Sequence, residues 1–144
     1  MKMPSILAVV VAVLISGIAV RADGGDDTLR FFLSKSDLIV SGKITTEPFG
    51  ITFETGVVNY ICEFKVDQVV KGDQKLAGQV IKVNIIRFEQ DEQDKHPLVK
   101  KDAACILFLK STAPDRPTWA TADFWFGVQH PSPWMIRSLQ RLAK

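Results

Sequence analysis

The side chains with the most chemical potential in this chain are two histidines and the carboxylates near them. His96 and His130 each precede a proline, which places both in extended or turn segments. A metal-assisted hydrolase would need the histidines to converge with carboxylates such as Asp94 or Asp123, because zinc takes several nitrogen and oxygen ligands at once. Their spacing matches no ligand pattern. We therefore expect loop histidines and keep a small secreted hydrolase as the alternative function.

Motifs that hold a cofactor or build an active site do not occur in the sequence. It has no Gly-x-Ser-x-Gly elbow, Walker loop, dinucleotide-binding motif, His-Glu-x-x-His or calcium loop. The sequence therefore predicts no cofactor, no metal and no catalytic residue. It favours a non-enzymatic binding or interaction module.

Two cysteines, Cys62 and Cys105, lie 43 residues apart, which matches neither a metal-binding pair nor a redox pair. Cys62 shares the parity of an apolar strand face, and Cys105 lies in a segment that is apolar on both faces, so both should be buried. A structural disulfide and two inert core thiols are equally compatible with this pattern.

The most unusual local feature is an aromatic cluster near the carboxyl end, formed by Trp119, Phe124, Trp125, Phe126, His130 and Trp134. If exposed, Trp119, Trp125 and Trp134 would bind a carbohydrate or a partner protein, because aromatic faces give a large contact area at small entropy cost. The alternative, which we favour, is that the cluster seals the core under the last helix. Strand alternation would then place Phe124 and Phe126 on one face and Trp125 on the other.

The amino-terminal segment has the pattern of a secretory signal peptide. Lys2 precedes an uncharged stretch over residues 6–20, and Val20 and Ala22 supply the short side chains expected before a cleavage point at Asp23. A retained anchor is the alternative, but fifteen residues are fewer than the roughly 20 needed to span a bilayer. We expect export to the periplasm or the extracellular space and a mature chain of 122 residues.

Cleavage would also change the charge of the protein. The whole chain has a formal charge of +2, but the signal peptide contains Lys2 and Arg21 and no acid, which leaves sixteen residues of each sign. A neutral chain lacks the clustered excess of cations that non-specific binding to polyanions requires. We therefore expect no nucleic-acid partner. No later stretch is apolar enough to span a membrane.

Periodicity divides the mature chain into strands with one helix before them and one after. A short helix capped by Asp26 or Asp27 should end near Ser36, and the predicted strands cover residues 37–46, 57–70, 80–88, 103–109 and 118–128. Glycine in the first strand predicts a bulge or a bend at Ser41-Gly42. Residues 47–50 should break that strand, and residues 51–56 should form a hairpin tip or a short accessory strand.

The carboxyl-terminal helix should begin at Ser132 and Pro133, a hydroxyl cap followed by proline. Its apolar face carries Met135, Leu139 and Leu142, and a cationic stripe opposite, of Arg137, Arg141 and Lys144, is more typical of a solvated helix than of an anion site. The predicted organisation is a signal peptide over 1–22, a leader and short helix over 23–36, a β core over 37–128 and a helix over 129–144. The fold class is mainly β, as a five-stranded barrel or a strongly curved sheet with two peripheral helices.

Four segments resemble a pattern of small exported bacterial domains: Ser36–Ile44, Phe64–Gly72, Gly78–Val83 and Ala104–Lys110. In that pattern a strand ends in Lys-Gly, a short loop with glycine leads into the next strand, and a Leu-Phe-Leu strand follows. These domains are similar to the OB-like barrels of tissue inhibitors of metalloproteases and netrin modules. The resemblance implies an OB-like fold for most of residues 36–110.

The resemblance does not extend to the inhibitory mechanism. The metalloprotease inhibitors place the amine and carbonyl of an amino-terminal cysteine on zinc. Here the expected mature chain starts at Asp23, and no cysteine occurs before Cys62. The resemblance therefore implies neither that inhibition nor any functional residue.

Overall fold

The computed structural model describes residues 22–88, 98–113, 115–123 and 126–144. The described chain is mainly β, with one helix near each end, as the sequence predicts. The helices are α1 (Ala22–Lys35) and α2 (Pro133–Leu142), and a short 3-10 helix covers Gln74–Leu76. The strands are β1 (Leu38–Ile44), β2 (Phe49–Thr52), β3 (Val57–Lys71), β4 (Val80–Phe88), β5 (Ala104–Ala113), β6 (Arg116–Thr121) and β7 (Val128–Gln129). Within these residues no helix has the length and apolar character to cross a membrane.

Five strands pair in a closed circuit. β1 pairs antiparallel with β3 on one side and with β5 on the other, and β3 pairs antiparallel with β4. β4 then pairs with β6 in parallel, and β6 returns to β5 in the antiparallel sense. Each of the five strands therefore has a neighbour on both sides. Among the described strands, β2 pairs only with β3 and β7 pairs only with β5.

The described residues form seven strands where the sequence predicted five. The accessory strand forms as β2, but it includes Phe49 and Gly50, which were expected to break the chain. The expected last strand over 118–128 is wrong, because the chain turns between β6 and β7. At this turn Gly127 donates its N–H to the Asp123 carbonyl at 3.2 Å, and a Cβ on Gly127 would lie 2.6 Å from the Thr121 Cβ.

The predicted bulge in β1 is confirmed, with register shifts between Ile39 and Val40 and between Ser41 and Gly42. Gly42 is required there because β1 and β3 approach closely. A Cβ on Gly42 would lie 2.0 Å from the Lys65 carbonyl oxygen, which belongs to the backbone and has little freedom to move.

Helix α1 begins at Ala22, four residues before the expected cap, so the segment expected to be a leader is helical. The carboxyl end of α1 is held by Lys71, whose Nζ donates to the Leu33 carbonyl at 2.7 Å and to the Ser36 carbonyl at 2.6 Å. One lysine at the end of β3 thus caps the helix that precedes the sheet.

The buried residues form two clusters, one on each side of β1 and β5. Successive residues of β5 belong alternately to the two clusters: Cys105, Leu107 and Leu109 lie in the first, and Ile106 and Phe108 lie in the second. The second cluster is covered by α1 and α2, which contribute Leu29, Leu33 and Leu139 to it.

Aromatic rings join the helices to the sheet in the second cluster. Phe32 stacks on Phe126 with ring centroids 4.3 Å apart, and Phe108 meets both rings edge to face. The terminal helix has the predicted cap, with the Ser132 hydroxyl accepting from the Met135 N–H at 3.3 Å. The ring of Phe126 thus lies under the helical layer, as the core interpretation of the aromatic cluster predicted.

Candidate interaction surface

Strands β2, β3 and the second half of β4 form a three-stranded sheet with two different faces. Phe49 lies opposite Ile61, and Ile61 lies opposite Asn84. Two residues along, Ile51 lies opposite Asn59, and Asn59 opposite Ile86. Because side chains alternate along a strand, these six residues share one face. We call Phe49, Ile51, Phe53, Ile61 and Ile86 the apolar outer face.

The apolar outer face is exposed. Of its side chains Phe49 is 66% exposed, Phe53 51%, and Ile51 and Ile61 39% each. The opposite face of the same sheet is different, since Val58, Val83 and Ile85 are all at most 1% exposed. Large apolar side chains on both faces of a strand usually mean burial on both faces. Here one face has no cover within the described residues.

The hairpin that carries β2 is fixed by glycines and a short turn. The Phe53 N–H donates to the Val57 carbonyl at 2.8 Å, and the Gly56 N–H donates to the Phe53 carbonyl at 3.0 Å. Gly56 has φ of +82°, a conformation that favours glycine. On the inner face Gly50 lies under the ring of Tyr60. A Cβ added to Gly50 would lie only 3.0 Å from the Tyr60 Cε1 atom. The turn and this packing set the position of the exposed side chains.

One edge of β2 is free, because among the described strands it pairs only with β3. Antiparallel partners alternate between hydrogen-bonded and non-bonded pairs. Since Phe53 bonds to Val57, the residues of the same parity, Phe49 and Ile51, also direct their backbone groups toward β3. Gly50 and Thr52 therefore direct their N–H and C=O groups to the free edge, and both residues are exposed.

Charged residues lie around the apolar outer face and not on it. Glu47 precedes β2 and Glu54 follows it, and both are exposed. Farther along the same sheet face Glu63 pairs with Lys82, and Lys65 lies opposite Lys43. The two ends of the free edge are thus acidic.

The three tryptophans predicted to bind a ligand differ in their positions. Trp119 lies in β6, half-buried against the first core cluster. Trp134 is 56% exposed near the start of α2, whereas Trp125 lies outside the described residues. Ligand binding by these tryptophans stays a prediction.

The residues of the alternative hydrolase are only partly described. His130 is exposed and Asp123 half-buried, while Asp94 and His96 lie outside the described residues. Within the parts of the chain that the structure covers, no group of three or more His, Cys, Asp or Glu side chains is placed to hold a metal ion.

Both cysteines are free thiols, and both are buried in the first core cluster. Burial raises the pKa of Cys62 to about 11. Burial, with a smaller effect from the neighbouring Cys62, raises the pKa of Cys105 to about 12. Both thiols are therefore protonated at neutral pH and are poor nucleophiles, because the thiolate is the reactive form.

An open cavity of about 440 Å³ lies where the end of β3 meets α2. Its walls include Val69 and Val70 of β3 and Gln140 and Lys144 at the chain end. The ammonium group of Lys144 and two glutamine side chains are its polar groups, and they indicate no particular class of ligand. We therefore place the candidate site on the apolar outer face.

The sequence contained a signal for this surface. Ile61 occupies the polar parity of β3, between Asn59 and Glu63, and Ile86 occupies the polar parity of β4 beside Asn84. Each is an apolar residue with a polar neighbour of the same parity. Only the pairing register brings them together with Phe49 and Ile51 into one surface.

Comparison with known proteins identifies no family for the chain: no protein-family model matches it, and no curated protein is significantly similar to it.

Proposed function

We propose that the protein is an exported, non-enzymatic binding module that contacts a partner protein through its apolar outer face. The observation that carries this proposal is the joint exposure of Phe49, Ile51, Phe53 and Ile61 on one side of a sheet whose other side is core. Monomeric proteins rarely expose contiguous apolar patches larger than a few hundred Å², and such patches mark interaction sites.

The energetics favour a role in binding over a role in folding. Burying one Phe or Ile side chain yields about 1.5–3 kcal/mol, so covering Phe49, Ile51 and Phe53 supplies several kcal/mol to an association. The closed circuit of strands does not require them, since β2 lies outside the circuit and, in the part of the chain that the structure describes, pairs with β3 alone. Their apolar character is therefore better explained by what they contact outside this fold.

Export and an OB-like fold belong to the same proposal. The charge, length and cleavage pattern of residues 1–22 support export. The closed circuit of β1, β3, β4, β6 and β5 is compatible with the small OB-like barrel that the four resembling segments imply.

The test of the binding surface compares two exposed phenylalanines. Phe53 on the apolar outer face and Phe31 on α1 are both 51% exposed, so Phe53→Asp and Phe31→Asp are matched in exposure. Phe31 also meets the Phe126 ring edge to face, which makes F31D the more demanding substitution for the fold. Tagged wild-type, F53D and F31D proteins are expressed in the native host and cross-linked, and the captured proteins are quantified. We expect a partner that wild type and F31D capture equally and F53D captures at least about tenfold less.

Equal capture by F53D and wild type would contradict the proposed surface. Circular dichroism of each variant shows that a lost partner does not reflect an unfolded protein. Export is tested separately, by the mass and compartment of the mature chain. A chain that retains residues 1–22 inside the cell would contradict that part of the proposal.

A further inference from the structure

We propose that the partner is recognised as an extended segment that adds to the free edge of β2 as one more antiparallel strand, with apolar residues at alternate positions and a cation at each end. This inference rests on the proposed function and specifies the chemistry of its partner. It comes from three observations on one hairpin: the direction of the backbone groups, the parity of the apolar side chains, and the charges beside them.

The backbone of β2 offers a short, defined set of hydrogen bonds. Gly50 and Thr52 direct two N–H donors and two C=O acceptors to the free edge, which is the arrangement that an added antiparallel strand satisfies. Pro48 is the next residue of the same parity and has no N–H to donate. At the other end the chain turns at residues 54–56. The edge therefore accepts about five residues of a partner.

The side chains of β2 determine which partner residues would be apolar. Partner residues opposite Phe49, Ile51 and Phe53 occupy non-bonded positions, where antiparallel strands bring side chains closest together. They would lie on the apolar outer face beside Ile61. The two partner residues between them would oppose Gly50 and Thr52 on the other face. The expected segment is apolar at three alternate positions.

Charge selects among such segments. Glu47 and Glu54 lie at the two ends of the edge, so a segment with Lys or Arg at both ends gains two attractions. A second copy of this chain is a poorer occupant. If two β2 edges pair so that Gly50 of each bonds to Thr52 of the other, Glu54 of each copy comes beside Glu47 of the other. That arrangement places like charges together.

The probe is the acetylated and amidated peptide Lys-Val-Thr-Val-Thr-Val-Thr-Lys with a fluorescent label. In the antiparallel register its valines oppose Phe53, Ile51 and Phe49, and its two lysines fall near Glu54 and Glu47. Binding to the mature protein is followed by fluorescence anisotropy. We expect saturable binding that F53D abolishes and F31D does not.

Matched peptides separate strand addition from simple apolar contact. Methyl groups on the backbone nitrogens of peptide residues 3 and 5 remove the amides aimed at Thr52 and Gly50, whereas methyl groups on residues 4 and 6 modify amides that point away. We expect the first peptide to bind at least about tenfold more weakly than the second. Replacing both lysines by glutamates should weaken binding at low salt, and the difference should shrink as salt rises.

Equal affinities for the two methylated peptides, or for the lysine and glutamate peptides at low salt, would overturn this inference. If the lysine peptide does not bind but F53D still loses the native partner, strand addition is wrong and the proposed function stands. A dimer of the protein alone that F53D dissociates in sedimentation would also overturn the inference, because the edge would then serve a second copy.

Discussion

Replacing Lys71 by methionine should destabilise the protein by about 2 kcal/mol, although Lys71 lies in no proposed binding surface. Its ammonium donates two short hydrogen bonds, to the carbonyls of Leu33 and Ser36 at the end of α1. Hydrogen bonds to a charged group each contribute about 1.5–3 kcal/mol. A cation at a helix carboxyl end adds about 0.3–1 kcal/mol. The net loss is smaller than the sum, because the Leu33 carbonyl still accepts from the Ser36 N–H at 3.3 Å and Lys71 itself is only half-buried.

Urea unfolding of the mature protein, followed by circular dichroism, measures this loss. With a slope of about 2 kcal/mol/M, the midpoint should fall by about 1 M in Lys71→Met. The control is Lys110→Met, the same substitution at an exposed lysine of β5, which should change stability by less than about 0.5 kcal/mol. Equal midpoints for the two variants would refute the capping role of Lys71.

Two further predictions concern the interior of the sheet. Gly42→Ala should destabilise the fold by about 3 kcal/mol or more, because the new methyl group would meet the Lys65 carbonyl and β1 would have to move away from β3. The control in the same urea assay is Gly25→Ala, where a Cβ meets nothing within 4 Å. A small loss of stability in Gly42→Ala would show that the bulge can relax. The raised pKa values of Cys62 and Cys105 predict that stability present below pH 9 is lost as pH rises, since the unfolded thiols ionise near 9 and the folded ones only near 11 and 12. At pH 10 each thiol should lower the free energy of unfolding by about 1.4 kcal/mol relative to neutral pH. The double variant Cys62→Ala and Cys105→Ala should therefore lose stability less steeply as pH rises. Parallel pH profiles of stability for wild type and double variant would contradict the raised pKa values.

The elements that the sequence predicted well are those whose signal is local. Strand β4 has the predicted bounds, and β3 differs from its prediction by one residue, because alternation over nine or more residues leaves few other structures. The cap of α2 was also predictable from two neighbouring residues. The Ser132 hydroxyl accepts from a backbone N–H of the first turn, and Pro133 has no N–H that would need a partner.

The errors occurred where distant contacts decide the structure. The expected strand over residues 118–128 is divided at Gly127, which is needed because Thr121 and Asp123 approach it in space. Phe49 and Gly50 extend along β3 despite Pro48, because the partner strand supplies the hydrogen bonds. Neither contact can be read from neighbouring residues.

The candidate site was missed for the same reason. Sequence reasoning singled out the tryptophans because they are large and close together in the chain. The residues of the apolar outer face instead come from three separate strands, and Ile61 looks unremarkable until the register places it opposite Phe49. A site assembled by pairing has no compact sequence motif.

The hairpin of β2 is an appendage to the closed circuit of strands, and this has an evolutionary consequence. The circuit and its two core clusters constrain most positions of the chain, whereas the hairpin depends mainly on its turn and on contact with β3. Changes at Phe49, Ile51 or Phe53 can therefore alter the proposed binding surface without selection against misfolding. Related chains should diverge fastest in this hairpin, and the same scaffold could acquire new partners by exchanging those few residues.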